Sequence, residues 1–233
     1  MFIIHSDYNL RFFMFWQEEA KKEHFTLPET IQDVVFNIFS NILPIDHSFL
    51  LEQALLKHLP WLNEVDAGIF NISVADGNGW VQNHKNGFYY PSKRSKLIIR
   101  LPKDKLNETK QLLGKTLYLD KYEIKIIKFL KPKLLSDIPI LFAKKIVCNE
   151  TMSENDFLQD AFEQLKTLDI SVKKMIVGLK NHIKTDTNII HTRSLMVADL
   201  KKYESITLQE KGLGNYRLLG CGLFIPHKDI TSI

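Results

Sequence analysis

Stretches of β-forming residues and capped helical stretches follow one another along this chain in one order: strand, helix, strand, strand, helix, strand. That order occurs twice. In the first half, residues 33–40 contain Val34, Val35, Phe36, Ile38 and Phe39, a strand signature. After a turn at Pro44, Asp46 stands as an N-cap before a helix over 47–59, which Pro60 stops. Strands are expected over 68–74 and 96–101, separated by a long polar loop over 75–92. Pro102 opens a second helix that Gly114 closes, and residues 115–129 read as strand broken by a turn at Asp120 and Lys121.

The second half repeats the pattern. Residues 138–147 read as strand, and 153–167 as a helix whose Ser153 and Asp156 form a capping box. Strands over 172–179 and 189–197, a helix over 199–210 and a last strand over 217–225 complete it. The fold class is therefore α+β, as two tandem ferredoxin-like (RRM-like, βαββαβ) domains. The domains are assigned to residues 14–130 and 131–233, with a junction around Pro132.

Composition narrows the function classes. A chain of 233 residues with 45% hydrophobic content can bury ordinary cores and is not a disordered segment. The net charge of +4 is a mild basic bias, informative only where the cations cluster. Cys148 and Cys221 sit in no CxxC pair and in no zinc spacing, so reduced thiols in a cytoplasmic protein are expected. No apolar run approaches the roughly 18 residues of a membrane span, and residues 1–16 lack the basic start and cleavage site of a signal peptide. There is no P-loop and no carboxylate cluster for a metal, so no cofactor is expected.

The segment Gly212-Leu-Gly214-Asn-Tyr-Arg217-Leu-Leu-Gly220-Cys-Gly222 lies between a helix and a strand. A dinucleotide fingerprint needs the reverse order, with the phosphate at the N-terminus of the helix that follows, so that reading is excluded. Two readings stay open. The glycines let the backbone approach RNA phosphates closely, with Lys211, Arg217 and Lys228 supplying charge. Alternatively, Gly212 or Gly214 caps the preceding helix, while Gly220 and Gly222 make room for a neighbour.

Longer strings around this segment resemble the RAMP superfamily of CRISPR-associated RNA-binding proteins. Within it they resemble the repeat-processing endoribonucleases of type I systems, MYXAN-type subfamily. The strings are His191-Thr-Arg-Ser-Leu-Met196, Ser205-Ile-Thr-Leu-Gln-Glu-Lys-Gly-Leu-Gly214, and Arg217-Leu-Leu-Gly-Cys-Gly-Leu-Phe-Ile-Pro-His-Lys228. Shorter ones are Leu43-Pro-Ile-Asp-His47, Leu59-Pro-Trp61 and Arg94-Ser-Lys-Leu-Ile-Ile-Arg-Leu-Pro102. Relatives begin near a string matching Met14-Phe-Trp-Gln-Glu18, so Met14 is the expected start and residues 1–13 an N-terminal extension.

The resemblance implies an enzyme that cuts CRISPR precursor RNA within its repeats without a metal. The RNA 2′-hydroxyl attacks its own phosphate, giving a 2′,3′-cyclic phosphate and a 5′-hydroxyl. It also implies retention of the mature guide RNA, and other subunits of a type I effector complex as partners. Histidine suits the proton transfers, and of eight histidines His47 is the chosen catalytic residue. It falls in the first turn of the first helix, where an exposed ring meets positive backbone dipole, and the family's histidine lies in this part of the first domain. Ser48, Tyr216, Lys211 and His191 are possible supports.

For RNA binding, the residues singled out are the four glycines with Arg217 and Lys228, and a basic hairpin with Lys173, Lys174, Lys180, Lys184 and Arg193. A second cluster holds Arg94 and Lys96. Trp80, Phe88, Tyr89 and Tyr90 either stack on bases or pack their loop down. Two alternatives compete: a silent RAMP subunit that only holds guide RNA, and a ferredoxin-like interaction module that binds none.

Overall fold

The computed structural model describes residues 25–73 and 87–227. The first half runs β1 (Ile31–Phe39), β2 (Leu43–Pro44), α1 (Ser48–Leu56), a 3-10 turn at Pro60–Asn63, β3 (Gly68–Ile69), β4 (Phe88–Tyr89) and β5 (Lys96–Pro102). It continues through α2 (Leu106–Thr109), β6 (Thr116–Leu119), β7 (Tyr122–Phe129) and β8 (Lys133–Leu134). The second half runs β9 (Leu141–Val147), α3 (Glu154–Thr167), β10 (Lys174–Lys184), β11 (Ile189–Ala198), α4 (Lys202–Lys211), a 3-10 turn at Arg217–Leu219 and β12 (Phe224–Pro226).

The result is a mixed α/β fold with antiparallel sheets. One sheet has the order β3-β5-β1-β7-β6, with β8 also pairing β1; a second has the order β10-β11-β9-β12, and β2 and β4 form a small third. In the first, β1 lies between β5 and β7; in the second, β9 lies between β11 and β12. Val34, Val35 and Phe36 of β1 are all buried, which requires cover on both faces of that strand. In α3, Phe157, Ala161 and Leu165 recur four residues apart and form the buried stripe. Its N-terminus is capped by Ser153, which accepts the Asp156 amide at 3.1 Å, as the sequence leads one to expect.

Each half has its own apolar cluster, and a smaller one joins them: Ile183, Leu219 and Cys221, with Phe49, Val147 and Ile190 packed around. Polar groups cross the seam as well. Arg100 of β5 is 1% exposed; it pairs with Asp33 of β1 and donates to the carbonyls of Gln209 and Phe224 at 2.9 and 2.8 Å.

Three local expectations change. The strand expected over 68–74 is paired only at Gly68–Ile69. The last strand is shortened to Phe224–Pro226, because Tyr216, Gly220 and Gly222 take left-handed φ values of 64°, 83° and 69°, and extended backbone cannot pass through them. Asp46 is not the cap of α1. Position N-cap belongs to His47, with no side-chain cap bond, and the Asp46 carboxylate instead accepts the Lys184 amide at 2.8 Å, tying the β10–β11 hairpin to the first half. No helix of the described residues is long and apolar enough to cross a membrane.

A candidate active site at the seam

A narrow cavity of about 80 Å³ opens where the halves meet. The first half lines it with Asp46, His47, Asn71, Ile72 and Tyr89; the second with Lys144, Lys145, Asn181 and His182. A larger cavity of about 670 Å³ lies elsewhere, among Phe49, Glu52, Glu150, Asp186, His191 and Tyr216. With three carboxylates and no lysine or arginine in its walls, it is unsuited to a phosphate.

His47 was expected to be exposed; it is 0% exposed. Its Nδ1 donates to the Pro44 carbonyl at 2.9 Å, and its Nε2 accepts the Ile72 amide at 3.0 Å. One nitrogen donating and one accepting defines the neutral tautomer. Burial holds its pKa down to about 4; Lys145 and Lys144 push the same way, while the Pro44 bond and Asp46 oppose them.

The two lysines reach one cavity because β9 is irregular. Ala143 pairs with Leu195 and Ile146 with Arg193, so Lys144 and Lys145 together face the single residue Ser194. In a regular strand, neighbours point to opposite faces; a bulge re-aims one of them. Strand β10 has a matching irregularity: Val177 pairs with Leu195 and Lys180 with Arg193. Gly178 sits there, where a Cβ would collide with the Ser194 hydroxyl.

Lys145 is 8% exposed. Its Nζ donates to Ser48 Oγ at 2.7 Å and to Asn71 Oδ1 at 3.2 Å, and Asn71 Nδ2 donates to the same Ser48 oxygen at 2.6 Å. Burial lowers its pKa to about 8; Lys144 adds to this, and Cys221 and Asp46 oppose it.

The glycine-rich segment closes this arrangement from behind. The Gly222 amide donates to the Lys145 carbonyl at 2.8 Å. A Cβ on Gly220 would collide with Asn71, and one on Gly212 or Gly222 would strike the backbone of the opposite strand of the loop. Gly212 also caps α4, whereas Gly214 is open, with Gln164 3.9 Å from its Cβ position.

The other expected supports are dispersed. Ser48 is buried and touches Lys145 rather than His47. Tyr216 is half exposed on the larger cavity, and Lys211 is exposed at the end of α4. His191 faces His182 across the hairpin, one strand from the seam, with Nε2 3.7 Å from Glu150.

Of the expected RNA contacts, Lys173, Lys174, Lys180 and Lys184 are exposed on or beside β10, although Lys174 lies 3.1 Å from Asp199. Two arginines are occupied internally. Arg193 is 4% exposed and pairs with Glu154 at 3.2 Å. Arg217 donates to the Lys211 and Glu210 carbonyls at 2.5 and 2.9 Å and lies 3.3 Å from Asp66, so it terminates α4 instead of offering charge to solvent. Arg94 is exposed, and Lys96 is bonded to Asn37. Phe88 packs on Tyr122 and Tyr89 on His47, so these two rings pack down. Trp80, Lys228 and residues 1–24 lie outside the described residues.

Sequence reading missed Lys144, Lys145, Asn71 and His182. A polar asparagine inside an apolar stretch and a lysine pair inside a strand were the available signals.

Comparison with known proteins accords with this picture. A CRISPR-associated endonuclease Cas6 of Myxococcus xanthus (strain DK1622) is 27% identical over 197 residues, covering 83% of this chain and 80% of that protein. Among solved structures, a CRISPR-associated protein Cas6 superposes with a TM-score of 0.58 at 12% identity, covering 85% of this chain and 100% of that one. A Cas6-related protein from Pyrococcus furiosus gives 0.55 at 12% identity, covering 83% and 97%. Both show likeness of fold. The family model described as Cas6 Crispr matches residues 32–229, and the chain therefore belongs to the Cas6 family.

Proposed function

We propose that this protein is an endoribonuclease that cuts CRISPR precursor RNA within its repeats, needs no metal, and retains the mature guide RNA. The observation that carries the reading is the seam cavity, in which a neutral imidazole and two adjacent lysines converge in a member of the Cas6 family. RNA brings its own nucleophile. Cleavage needs a group to take the 2′-proton, positive charge for the phosphorane, and a proton for the departing 5′-oxygen. Lys144 and Lys145 supply the charge. His47 is neutral at physiological pH with its lone pair on Nε2, where it accepts the Ile72 amide; in this reading the RNA 2′-hydroxyl takes that amide's place. The products are a 2′,3′-cyclic phosphate and a 5′-hydroxyl.

The two halves fit tandem ferredoxin-like domains at residues 14–130 and 131–233; the position of the first strand in each sheet supports this. The basic face of the hairpin, with Lys173, Lys180 and Lys184, suits the phosphates of an RNA stem, and the exposed Arg94 and the partly buried Lys96 of the first half are further candidate contacts. Cytoplasmic partners would be the repeat RNA and other type I effector subunits.

The test is incubation of the protein with labelled repeat RNA in excess EDTA. Cutting with a cyclic-phosphate end, lost when the scissile nucleotide is 2′-deoxy, is the expected result. One observation favours a second reading, a subunit that only binds RNA: both ring nitrogens of His47 are bonded to backbone. Tight binding without any cutting in the same assay would select it.

A further inference from the structure

Among the described residues, Lys145 is a buried cation without an ion pair. Its two partners, Ser48 Oγ and Asn71 Oδ1, are neutral oxygens. An ammonium has three donors, so these leave one, and the residue lines the cavity that also holds His47. A buried charge held only by neutral groups is costly, and a phosphate in the cavity would relieve that cost. The geometry is over-determined: the β9 bulge aims the side chain, Asn71 and Ser48 bond to each other as well as to it, and Gly222 holds its carbonyl.

We propose that Lys145 is the general acid of the cleavage, giving an Nζ proton to the departing 5′-oxygen; this rests on the cleavage reading above. The new 2′-O–P bond forms as the 5′-O–P bond breaks. The 2′-proton goes to His47 Nε2 and the Lys145 proton to the 5′-oxygen, leaving imidazolium and neutral amine to exchange protons with water.

The environment sets the two groups apart in the sense such a pair requires. The site keeps His47 unprotonated and Lys145 mostly protonated at neutral pH, with values of about 4 and about 8. The charged or titratable groups around Lys145 are Asp46 and His47 before α1, Tyr89 on β4, Lys144 on β9, His182 on β10 and Cys221 in the glycine-rich segment. Burial raises the Cys221 thiol to about 11, so it remains neutral while Lys145 titrates.

The experiment compares ordinary repeat RNA with RNA whose scissile 5′-bridging oxygen is sulfur. A thiolate leaves without a proton donor. Wild-type protein should cut both. Lys145→Ala and Lys145→Gln should cut the ordinary RNA about 100- to 10,000-fold more slowly and the sulfur RNA at nearly the wild-type rate. Both should retain binding of a 2′-deoxy repeat. The glutamine variant keeps an amide donor for Ser48 and serves if the alanine variant does not fold. Wild-type rates on ordinary RNA, or equal losses on both RNAs, would overturn the assignment. If wild-type protein cuts neither RNA, the cleavage reading itself falls, and Lys145 with it.

Discussion

The Ile72 amide points at His47 Nε2 from 3.0 Å, so the ring bridges the segment after β3 to the Pro44 carbonyl below α1. Protonating the ring would set N–H against N–H. The folded-state pKa of about 4 lies below the 6.5 of an unperturbed histidine, so between these values the unfolded chain binds more protons. The His47 contribution to stability is complete above pH 6.5 and is lost as pH falls towards 4. The difference corresponds to about 3 kcal/mol. Urea unfolding at pH 7, 5 and 4 should show this loss, and His47→Ala should be less stable at pH 7 but flatter over that range. A wild-type profile without a slope below pH 6.5 would contradict the neutral, bridging ring.

Lys145 works in the opposite direction. Its ammonium is the working form, and burial lowers its pKa to about 8. The single-turnover cutting rate should therefore be level near neutrality and fall above pH 8, about tenfold per unit. Folding stability moves the other way: the fold favours the neutral amine, so the depressed pKa gives stability that is complete above the unfolded pKa of 10.5 and is lost as pH falls towards about 8. A cutting rate that keeps rising through pH 9 would exclude Lys145 as proton donor.

Arg100 is held by Asp33 within the first sheet and carries a polar stitch across the seam, its guanidinium donating to two carbonyls of the second half. Arg100→Leu would leave a half-hidden carboxylate and two carbonyls without donors. The expected cost is about 3–5 kcal/mol, read as a lower urea midpoint. Pairing it with Asp33→Leu should restore a good part, because the stranded carboxylate is then gone. A single-variant cost below about 1 kcal/mol would show that the stitch is dispensable.

Much of this fold was readable because it depends on local chemistry. Ser153 before a helical stripe and the Asp120 turn between β6 and β7 each act through their own neighbours. The site was less readable because its parts meet only in three dimensions. His47 stands out in the sequence, but its burial follows from Ile72 and Tyr89 closing over it, and neither is near it in sequence. Arg193 and Arg217 looked like RNA contacts because charge in a string does not reveal that Glu154 or the end of α4 will claim it. Lys145 was missed for a related reason. Alternation in β9 gives no warning of a bulge, and only the bulge brings adjacent lysines to one cavity.

Gly220 connects the glycine-rich segment to that cavity. Its φ of 83° disfavours any side chain, and a Cβ there would press on Asn71, a bonding partner of both Ser48 and Lys145. Gly220→Ala should cost about 1–2 kcal/mol for the left-handed backbone alone. It should also slow cutting by displacing Asn71. Gly214→Ala shares the positive φ but has open space, so it should show a similar backbone cost with cutting preserved. Equal cutting rates in the two variants would detach the segment from the site.

The hairpin offers the last prediction, on binding rather than cutting. Lys180 and Lys184 project from β10 without an acidic side-chain partner among the described residues, whereas Lys174 lies against Asp199. Each lysine that neutralises an RNA phosphate releases condensed counterions, so its loss should reduce the slope of log affinity against log salt by about 0.7–0.9. Lys180→Ala and Lys184→Ala should each do so with an uncleavable 2′-deoxy repeat. Lys174→Ala should change the slope less, since its charge is already partly met. Lys133→Ala, exposed on the other sheet, should leave it unchanged. A slope that responds to Lys133 but not to Lys180 or Lys184 would move the RNA to the other face of the molecule.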